Sequence, residues 1–161
     1  MVPYYAQAFG IEERKIIPTG IPRTDLFFQK EKQEQIKEKW YHLYPQYKRK
    51  RILLFAPTFR GNGKKSAYYP KEYLEEKWDK LYKNLKEDEI FMIKFHPFIK
   101  RKINIPIAYQ DKIVDFSFYE DTNELLLITD LLITDYSSIL FENALLEKPI
   151  LFYTPDLELY E

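Results

Sequence analysis

The sequence predicts an α/β domain whose Rossmann-like, mostly parallel sheet is flanked by helices. Short apolar runs recur along the chain and are bounded by proline or charged residues, which is typical of strands buried on both faces. Helical segments separate most of these runs, and this alternation favours parallel strands. The length of 161 residues suits one domain with a sizeable core. Aromatic residues make up 17% of the chain, which argues against disorder.

The N-terminal segment carries the weakest pattern. Two isoleucines predict a short strand over residues 16–18, and Gly20 belongs to the turn that follows. Thr24 or Asp25 is a suitable cap for a helix that we expect to extend to Leu43. The middle of this helix is very polar, so we expect it to be exposed.

The middle of the chain predicts two buried strands separated by a loop and a helix. The apolar runs 52–56 and 90–95 have the length of strands, and a proline follows each run. Residues 58–70 contain two glycines, an asparagine and a proline, and they predict a loop. The apolar spacing in residues 71–86 predicts an amphipathic helix.

The C-terminal part continues the alternation. Residues 113–116 predict a third strand, after which the pentapeptide Leu-Leu-Ile-Thr-Asp occurs twice in succession. We expect the first copy to lie in a short helix over residues 123–128, capped by Asp121 or Thr122, and the second copy to form a strand. The last predicted elements are a helix over residues 137–147 and a strand over residues 149–152.

Composition excludes several classes of site. The chain has no cysteine, so disulfides and thiolate metal sites are excluded, and its two histidines argue against a multi-histidine metal site. No apolar run reaches the roughly 18 residues that a membrane span needs. The N-terminus lacks the pattern of a signal peptide, so we expect a cytoplasmic protein. We also expect the chain to be a piece of a longer protein.

Charge is segregated along the chain although the net charge is zero. Residues 115–161 carry one lysine and 11 acidic residues, whereas residues 1–114 carry 24 basic and 14 acidic residues. The basic excess peaks at residues 48–51. Such a split is consistent with contact to an anionic membrane surface or with two solvated faces. The chain has no aromatic RNA-binding signature, so we expect no nucleic-acid partner.

One polar segment lies between the predicted strand 131–135 and the helix that follows it. Ser137 or Ser138 would stand at the start of that helix, where free backbone N–H groups and the helix dipole favour an anion. Asp135 directly precedes them. The alternative is simple helix capping by serine, which needs no ligand. The segment lacks the glycines of a dinucleotide-binding loop or a P-loop.

Other polar residues follow the other strands, at the edge where parallel sheets bind ligands. His96 follows the strand 90–95. It either donates a hydrogen bond to a phosphate oxygen or acts as an acid or base, or it is a capping or core histidine. Thr58 and Arg60 lie in a loop that either closes over a phosphate or base or stays a mobile surface loop. Glu142 either accepts hydrogen bonds from ribose hydroxyls or is an exposed helix residue. Together these residues predict a pocket for a nucleotide diphosphate.

These motifs, taken in order, resemble the CDP-glycerol glycerophosphotransferase family, whose members polymerise wall teichoic acid and some capsule polyol phosphates. The resemblance extends from about Phe9 to Tyr160. Its pieces are Gly-Ile-Pro-Arg-Thr-Asp at 20–25, Ala-Pro-Thr-Phe-Arg at 56–60, Lys-Phe-His-Pro at 94–97, Ile-Thr-Asp-Tyr-Ser-Ser at 133–138, Phe-Glu at 141–142, Lys-Pro-Ile-Leu-Phe-Tyr at 148–153 and Asp-Leu-Glu at 156–158.

The resemblance implies that residues 1–161 are the nucleotide-donor-binding domain, the C-terminal half of a glycosyltransferase-B architecture. It implies transfer of glycerol phosphate from CDP-glycerol to a lipid-linked polyol-phosphate acceptor, with release of CMP, at the inner face of the cell membrane. The family's acceptor domain, with a second catalytic histidine, has no counterpart in these residues. We therefore expect this chain alone to be inactive.

The resemblance also assigns residues. His96 matches the family's histidine before proline, which is implicated in catalysis at the donor pyrophosphate. Asp135, Ser137 and Ser138 match the family's phosphate-side contacts, and Thr58 and Arg60 match a loop near the donor.

The implied chemistry is direct in-line displacement at the β-phosphorus of the donor, which depends mainly on positioning and charge stabilisation. The chain has no Asp-x-Asp pair, so we expect neither an essential protein-bound metal nor a cofactor. Three alternatives stay open: a CDP-ribitol donor, a nucleotide-sugar glycosyltransferase of the same fold, and a non-catalytic nucleotide-binding module.

Overall fold

The computed structural model describes residues 1–101 and 103–159, so Tyr160, where the family resemblance ends, lies outside the described residues. Five strands are present in the described part: β1 (Arg51–Phe55), β2 (Glu89–Ile93), β3 (Ile113–Asp115), β4 (Leu131–Thr134) and β5 (Ile150–Phe152). The same residues form five α-helices: α1 (Val2–Phe9), α2 (Lys30–Leu43), α3 (Trp78–Asn84), α4 (Thr122–Ile128) and α5 (Ile139–Leu145). Short 3-10 helices connect several of these elements.

All five strands are parallel and lie in the order β3-β2-β1-β4-β5, which confirms the predicted fold class. In the central strand, Leu54 pairs with Met92 on one side and with Leu132 on the other. The chain first extends the sheet outward through β2 and β3, and then returns to the other side of β1 for β4 and β5. The carboxyl ends of β1 and β4 therefore flank a topological switch point, where open parallel sheets bind ligands.

Helices and loops cover both faces of the sheet, as the apolar runs predict. Ile52 and Leu54 pack into a core with Trp40 of α2 and with α4, whereas Leu53 and Phe55 pack on the opposite face in a second core. Successive strand residues point to opposite faces, so a strand covered on both faces needs apolar residues at every position. This explains why β1 appears in the sequence as a continuous apolar run.

The tandem pentapeptide adopts two conformations, as predicted. Asp121 caps α4, because its Oδ1 accepts hydrogen bonds from the backbone N–H groups of Asn123 (2.8 Å) and Glu124 (3.3 Å). The first three residues of the first copy therefore belong to α4, which ends at Ile128, while the second copy forms β4. The cap precedes only the first copy, and pairing with β1 and β5 holds the second.

The prediction of a strand over residues 16–18 is wrong. A 3-10 turn, Glu13–Lys15, precedes these residues, and they form no strand. Pro18 lacks a backbone donor, and Ile17 is 79% exposed, so neither a ladder nor a buried face holds this segment extended.

Three predicted helices are shorter than expected, and the one predicted over residues 137–147 covers only Ile139–Leu145. The segment predicted to be helical from Thr24 to Leu43 begins as a 3-10 helix, Pro22–Phe28, and α2 starts only at Lys30. The amide of Gln33 donates to the carbonyls of Leu26 and Phe27, which satisfies them where the 3-10 helix ends.

The segment 71–86 likewise contains two 3-10 turns, Lys71–Tyr73 and Glu75–Lys77, before α3. Its apolar residues still face the core, because Leu74 and Trp78 are both buried. The indole N–H of Trp78 donates to the carbonyl of Asn104 across 3.1 Å, so tertiary contacts rather than helix propensity shape this segment.

Candidate functional site

An open cleft of about 690 Å³ lies at the carboxyl edge of the sheet. Its walls come from the segments that follow β1, β2 and β4, from the start of α4, and from the 3-10 helix near the N-terminus. The switch point between β1 and β4 therefore coincides with a real cavity. The lining residues are Arg23, Ala56, Pro57, Lys94, Phe95, His96, Pro97, Glu120, Asp121, Thr122, Asn123, Ser137, Ser138, Ile139 and Glu142.

His96 is exposed in the wall of this cleft and packs against the rings of Phe59 and Phe98 at centroid distances of 5.0 and 4.5 Å. Its Nδ1 accepts a hydrogen bond from the backbone N–H of Phe98 across 3.1 Å. Partial burial, followed by the nearby Lys94 charge, lowers the pKa of His96. Because Nδ1 accepts this hydrogen bond, the neutral ring carries its proton on Nε2 and is a hydrogen-bond donor there.

Ser137 and Ser138 line the same cleft where α5 begins. Ser138 is the N-cap residue, but its side chain makes no capping hydrogen bond, while the Oγ of Ser137 accepts from the backbone N–H of Ile139 across 3.4 Å. Helix capping therefore accounts for Ser137 only, through a long hydrogen bond, and leaves the hydroxyl of Ser138 without a capping role. Glu142 lies one turn further along α5 and is only 5% exposed, so it is not a solvent-exposed helix residue.

Arg60 and Asp135 belong to a buried ion-pair cluster beside the cleft. The guanidinium of Arg60 donates to Asp135 Oδ2 at 3.0 Å, to both carboxylate oxygens of Asp156 at 2.6 and 2.9 Å, and to the carbonyl of Thr58 at 2.6 Å. Burial opposes the charge on Arg60, but hydrogen bonds to Asp156 and then Asp135 raise its pKa. The hydrogen bond from Arg60 in turn lowers the pKa of Asp156.

Thr58 is tied to the same cluster through its backbone. Its N–H donates to Asp135 Oδ1 across 2.7 Å, and the N–H of Tyr136 donates to the same oxygen across 2.6 Å. The loop after β1 is also shaped by an antiparallel bridge between Arg60 and Tyr68. Gly61 is required inside this bridge, since its φ is +95° and a Cβ there would lie 2.2 Å from the carbonyl oxygen of Ser66.

The seven residues that the sequence predicts for the site thus fall into two groups. His96, Ser137, Ser138 and Glu142 line the cleft. Three others join β1 to the segments that follow β4 and β5 and lie beside the cleft wall: Thr58, Arg60 and Asp135.

Sequence reasoning did not select Arg23, Lys94 or Asp156, although all three lie inside the motifs of the family resemblance. Arg23 donates from Nε to Glu142 Oε1 across 3.0 Å, and its Nη2 contacts the same oxygen. Lys94 is buried, its Nζ donates to the carbonyl of Ser117 across 3.3 Å, and burial lowers its pKa. Charge pairs between segments about 100 residues apart leave no periodic signal, so only motif membership marked these residues.

The cluster 48–51 lies at the amino end of β1, at the sheet edge opposite the cleft. There Lys50 donates to the carbonyl of Glu87, and Arg51 pairs with Glu89 across 3.1 Å.

No α-helix in the described part of the chain is long and apolar enough to cross a membrane. Within residues 1–101 and 103–159, no three His, Asp or Glu residues group in a way that could hold a metal ion.

Comparison with known proteins agrees with this geometry. A teichoic acid poly(ribitol-phosphate) polymerase from Bacillus spizizenii is 51% identical over 98% of this chain. A teichoic acid glycerol-phosphate primase from Bacillus subtilis is 38% identical over the whole chain. A structure of the wall teichoic acid polymerase TagF, a variant soaked with CDPG, superposes with a TM-score of 0.78 at 27% identity over 99% of this chain. The chain spans 25%, 39% and 37% of these three proteins, respectively.

The model of one protein family matches residues 1–161 in full. The match includes every motif on which the family resemblance rests. The chain belongs to the family described as CDP-Glycerol:Poly(glycerophosphate) glycerophosphotransferase.

Proposed function

We propose that residues 1–161 are the donor-binding domain of a polyol-phosphate transferase, the C-terminal half of a glycosyltransferase-B architecture. The complete protein transfers a polyol phosphate from a CDP-polyol to a growing polyol-phosphate chain and releases CMP. The observation that carries this proposal is the cleft at the switch point, which His96, Ser137 and Ser138 line together. The family description and the soaked TagF structure support a CDP-activated donor.

In this mechanism the donor diphosphate lies between His96 and the start of α5. Ser137 and Ser138 offer hydroxyl donors to phosphate oxygens. His96 donates its Nε2 proton in a hydrogen bond to the leaving CMP phosphate, which stabilises the charge that develops there. Hydrogen bonds among Thr58, Arg60 and Asp135 hold the segment after β1 against the segment after β4, beside the cleft wall.

The polyol itself is a separate question. The motifs resemble CDP-glycerol enzymes, but relatives named for ribitol phosphate reach 51% and 42% identity, against 38% and 36% for those named for glycerol phosphate. These identities favour CDP-ribitol as the donor. Calorimetry with CDP-ribitol, CDP-glycerol, a UDP-sugar and CMP compares the candidates directly. Preference for the UDP-sugar would support a nucleotide-sugar glycosyltransferase instead.

From the family resemblance we infer a lipid-linked acceptor and a place at the inner face of the cell membrane. The basic cluster 48–51 lies at the sheet edge opposite the cleft, so it and the cleft do not open in the same direction. If the cluster binds an anionic membrane, the acceptor chain must reach around the domain to the cleft.

Replacement of His96 by alanine tests the proposed reaction. In the complete gene product, we expect the turnover number for acceptor-dependent CMP release to fall by about 10²- to 10³-fold, the usual cost of removing one hydrogen-bond donor to developing charge, while donor affinity changes little. His42→Ala is the matched control, because His42 is exposed on α2. Equal turnover of the two variants would contradict the role of His96. Absence of any acceptor-dependent CMP release from the wild type would favour a non-catalytic nucleotide-binding module.

A further inference from the structure

One ion pair in the cleft wall joins the N-terminal 3-10 helix to α5. Nε of Arg23 lies 3.0 Å from Oε1 of Glu142, and Nη2 of Arg23 contacts the same oxygen, although the two residues are 119 positions apart. The two side chains differ in exposure. The side chain of Glu142 is 6% exposed, whereas that of Arg23 is 60% exposed and lines the cleft.

The backbone of Arg23 is held as firmly as its side chain. Its carbonyl accepts a hydrogen bond from the side-chain amide of Asn123, at the start of α4, across 3.1 Å. The residue after it closes the local turn, because the N–H and hydroxyl of Thr24 both donate to the carbonyl of Ile21. Arg23 is therefore anchored at both ends before any ligand binds, its backbone by Asn123 and its guanidinium by Glu142.

The geometry leaves Arg23 equipped to contact an anion. A guanidinium has five N–H donors in a planar fork, and the hydrogen bonds to Glu142 involve two of its nitrogens on one edge. The remaining donors belong to the exposed part of a side chain that borders the cavity. Phosphate oxygens match this fork, and an arginine whose orientation is already set loses little conformational freedom on binding.

We propose that Arg23 contacts the diphosphate of the donor and that Glu142 acts as a positioning residue, through Arg23. The inference rests on the proposed function, since the donor supplies the diphosphate. It is specific to the donor because Arg23 lines the same cleft as His96, Ser137 and Ser138.

The test compares four variants of the complete gene product: Arg23→Ala, Arg23→Lys, Glu142→Gln and the control Arg101→Ala. Arg101 also pairs with a glutamate, Glu75, but outside the cleft. Loss of one or two charge-assisted hydrogen bonds should raise the KM and the Kd for the CDP-polyol by about 10- to 100-fold in Arg23→Ala. Arg23→Lys keeps the charge but loses the fork, so its values should lie in between. The control should match the wild type.

Glu142→Gln separates positioning from direct contact. It keeps the shape of the side chain but removes the charge that orients Arg23, so we expect a smaller rise in donor KM than in Arg23→Ala. In the double variant Arg23→Ala/Glu142→Gln, the second change should add nothing, because a residue that acts through Arg23 has no role once Arg23 is gone. Additive effects would overturn the positioning role. Circular dichroism and thermal unfolding confirm that each variant is folded.

The outcomes keep the two proposals apart. An unchanged donor KM in Arg23→Ala, with wild-type turnover intact, overturns the role of Arg23 but leaves the proposed function standing. A rise in the acceptor KM alone also overturns it, because the anion would then be the acceptor's phosphodiester. Failure of the wild type to bind either CDP-polyol overturns the proposed function itself.

Discussion

The molecule contains two arginine–carboxylate clusters near one cleft, and they differ in how much water reaches them. Arg60 has a 9% exposed side chain, and its partners Asp135 and Asp156 are 0% and 7% exposed. Arg23 pairs with an equally buried carboxylate, Glu142, but its own side chain is 60% exposed. Both clusters join segments distant in sequence. Only the first has all its charged groups out of water.

The difference indicates two roles for one kind of chemistry. A buried charge is tolerated only when hydrogen bonds satisfy it, so each member of the Arg60 cluster depends on the others for its place in the fold. The guanidinium of Arg23 is oriented by a buried carboxylate, but its side chain is 60% exposed and keeps further N–H donors on the cleft side. The first arrangement stabilises the edge of the sheet around β4 and β5, and the second presents donors to a ligand.

The largest expected effect comes from Arg60→Ala. The substitution leaves Asp135 and Asp156 buried without their cation, so we expect the free energy of unfolding to fall by about 3–5 kcal/mol. Urea unfolding monitored by circular dichroism measures it. Arg14→Ala is the control, since Arg14 pairs with Glu12 on the surface, where little change is expected. Similar midpoints for the two variants would contradict a structural role for the Arg60 cluster.

Asp156→Asn should have an intermediate effect, with a characteristic pH dependence. At neutral pH we expect a loss of about 1–3 kcal/mol, because hydrogen bonds to a charged acceptor weaken. The pKa of Asp156 is lowered in the folded state, so its ionisation stabilises the fold above the unfolded pKa, and this contribution is lost as pH falls through the folded pKa. The wild type should therefore lose stability in acid, below about pH 4, more steeply than Asp156→Asn.

The control for that titration is Asp79→Asn, whose carboxylate forms an exposed pair with Lys83. Its acid unfolding curve should follow that of the wild type. If Asp156→Asn also followed the wild-type curve, the lowered pKa of Asp156 would not contribute to stability.

The smallest stability effect should come from Arg23→Ala, the counterpart of the first substitution. Removal of Arg23 leaves the buried carboxylate of Glu142 without this partner but opens it to water from the cleft, so we expect a loss of about 1–2 kcal/mol, well below that of Arg60→Ala. Urea unfolding of Arg23→Ala and Arg60→Ala under identical conditions measures the difference between the clusters. A loss as large as that of Arg60→Ala would mean that the Arg23–Glu142 pair is also structural, and the contrast between them would disappear.

Much of the fold was predictable because it depends on local pattern. β1, β2 and β4 follow from apolar runs of strand length, and the cap at Asp121 separates the helical copy of the pentapeptide from the strand copy. The predictions failed near the N-terminus, where residues 16–18 form no strand. An isolated apolar pair carries too little information to say whether a neighbouring strand exists to bind it.

The candidate site was predictable as a set of strand ends but not as a set of contacts. His96 and Ser137 occupy the cleft because each follows a parallel strand, and the carboxyl ends of such strands share one edge. The burial of Glu142 was not predictable from its helix position, because its partner Arg23 lies 119 residues away.

The amino-acid sequence by itself determined the parallel sheet, the order of its helices and the edge that holds the site, since these depend on apolar periodicity, caps and prolines within short windows. Only the tertiary structure decided which charges are buried together and which stay open on the cleft. Desolvation depends on everything packed around a group, and two arginines with the same intrinsic chemistry, Arg23 and Arg60, therefore differ sixfold or more in exposure.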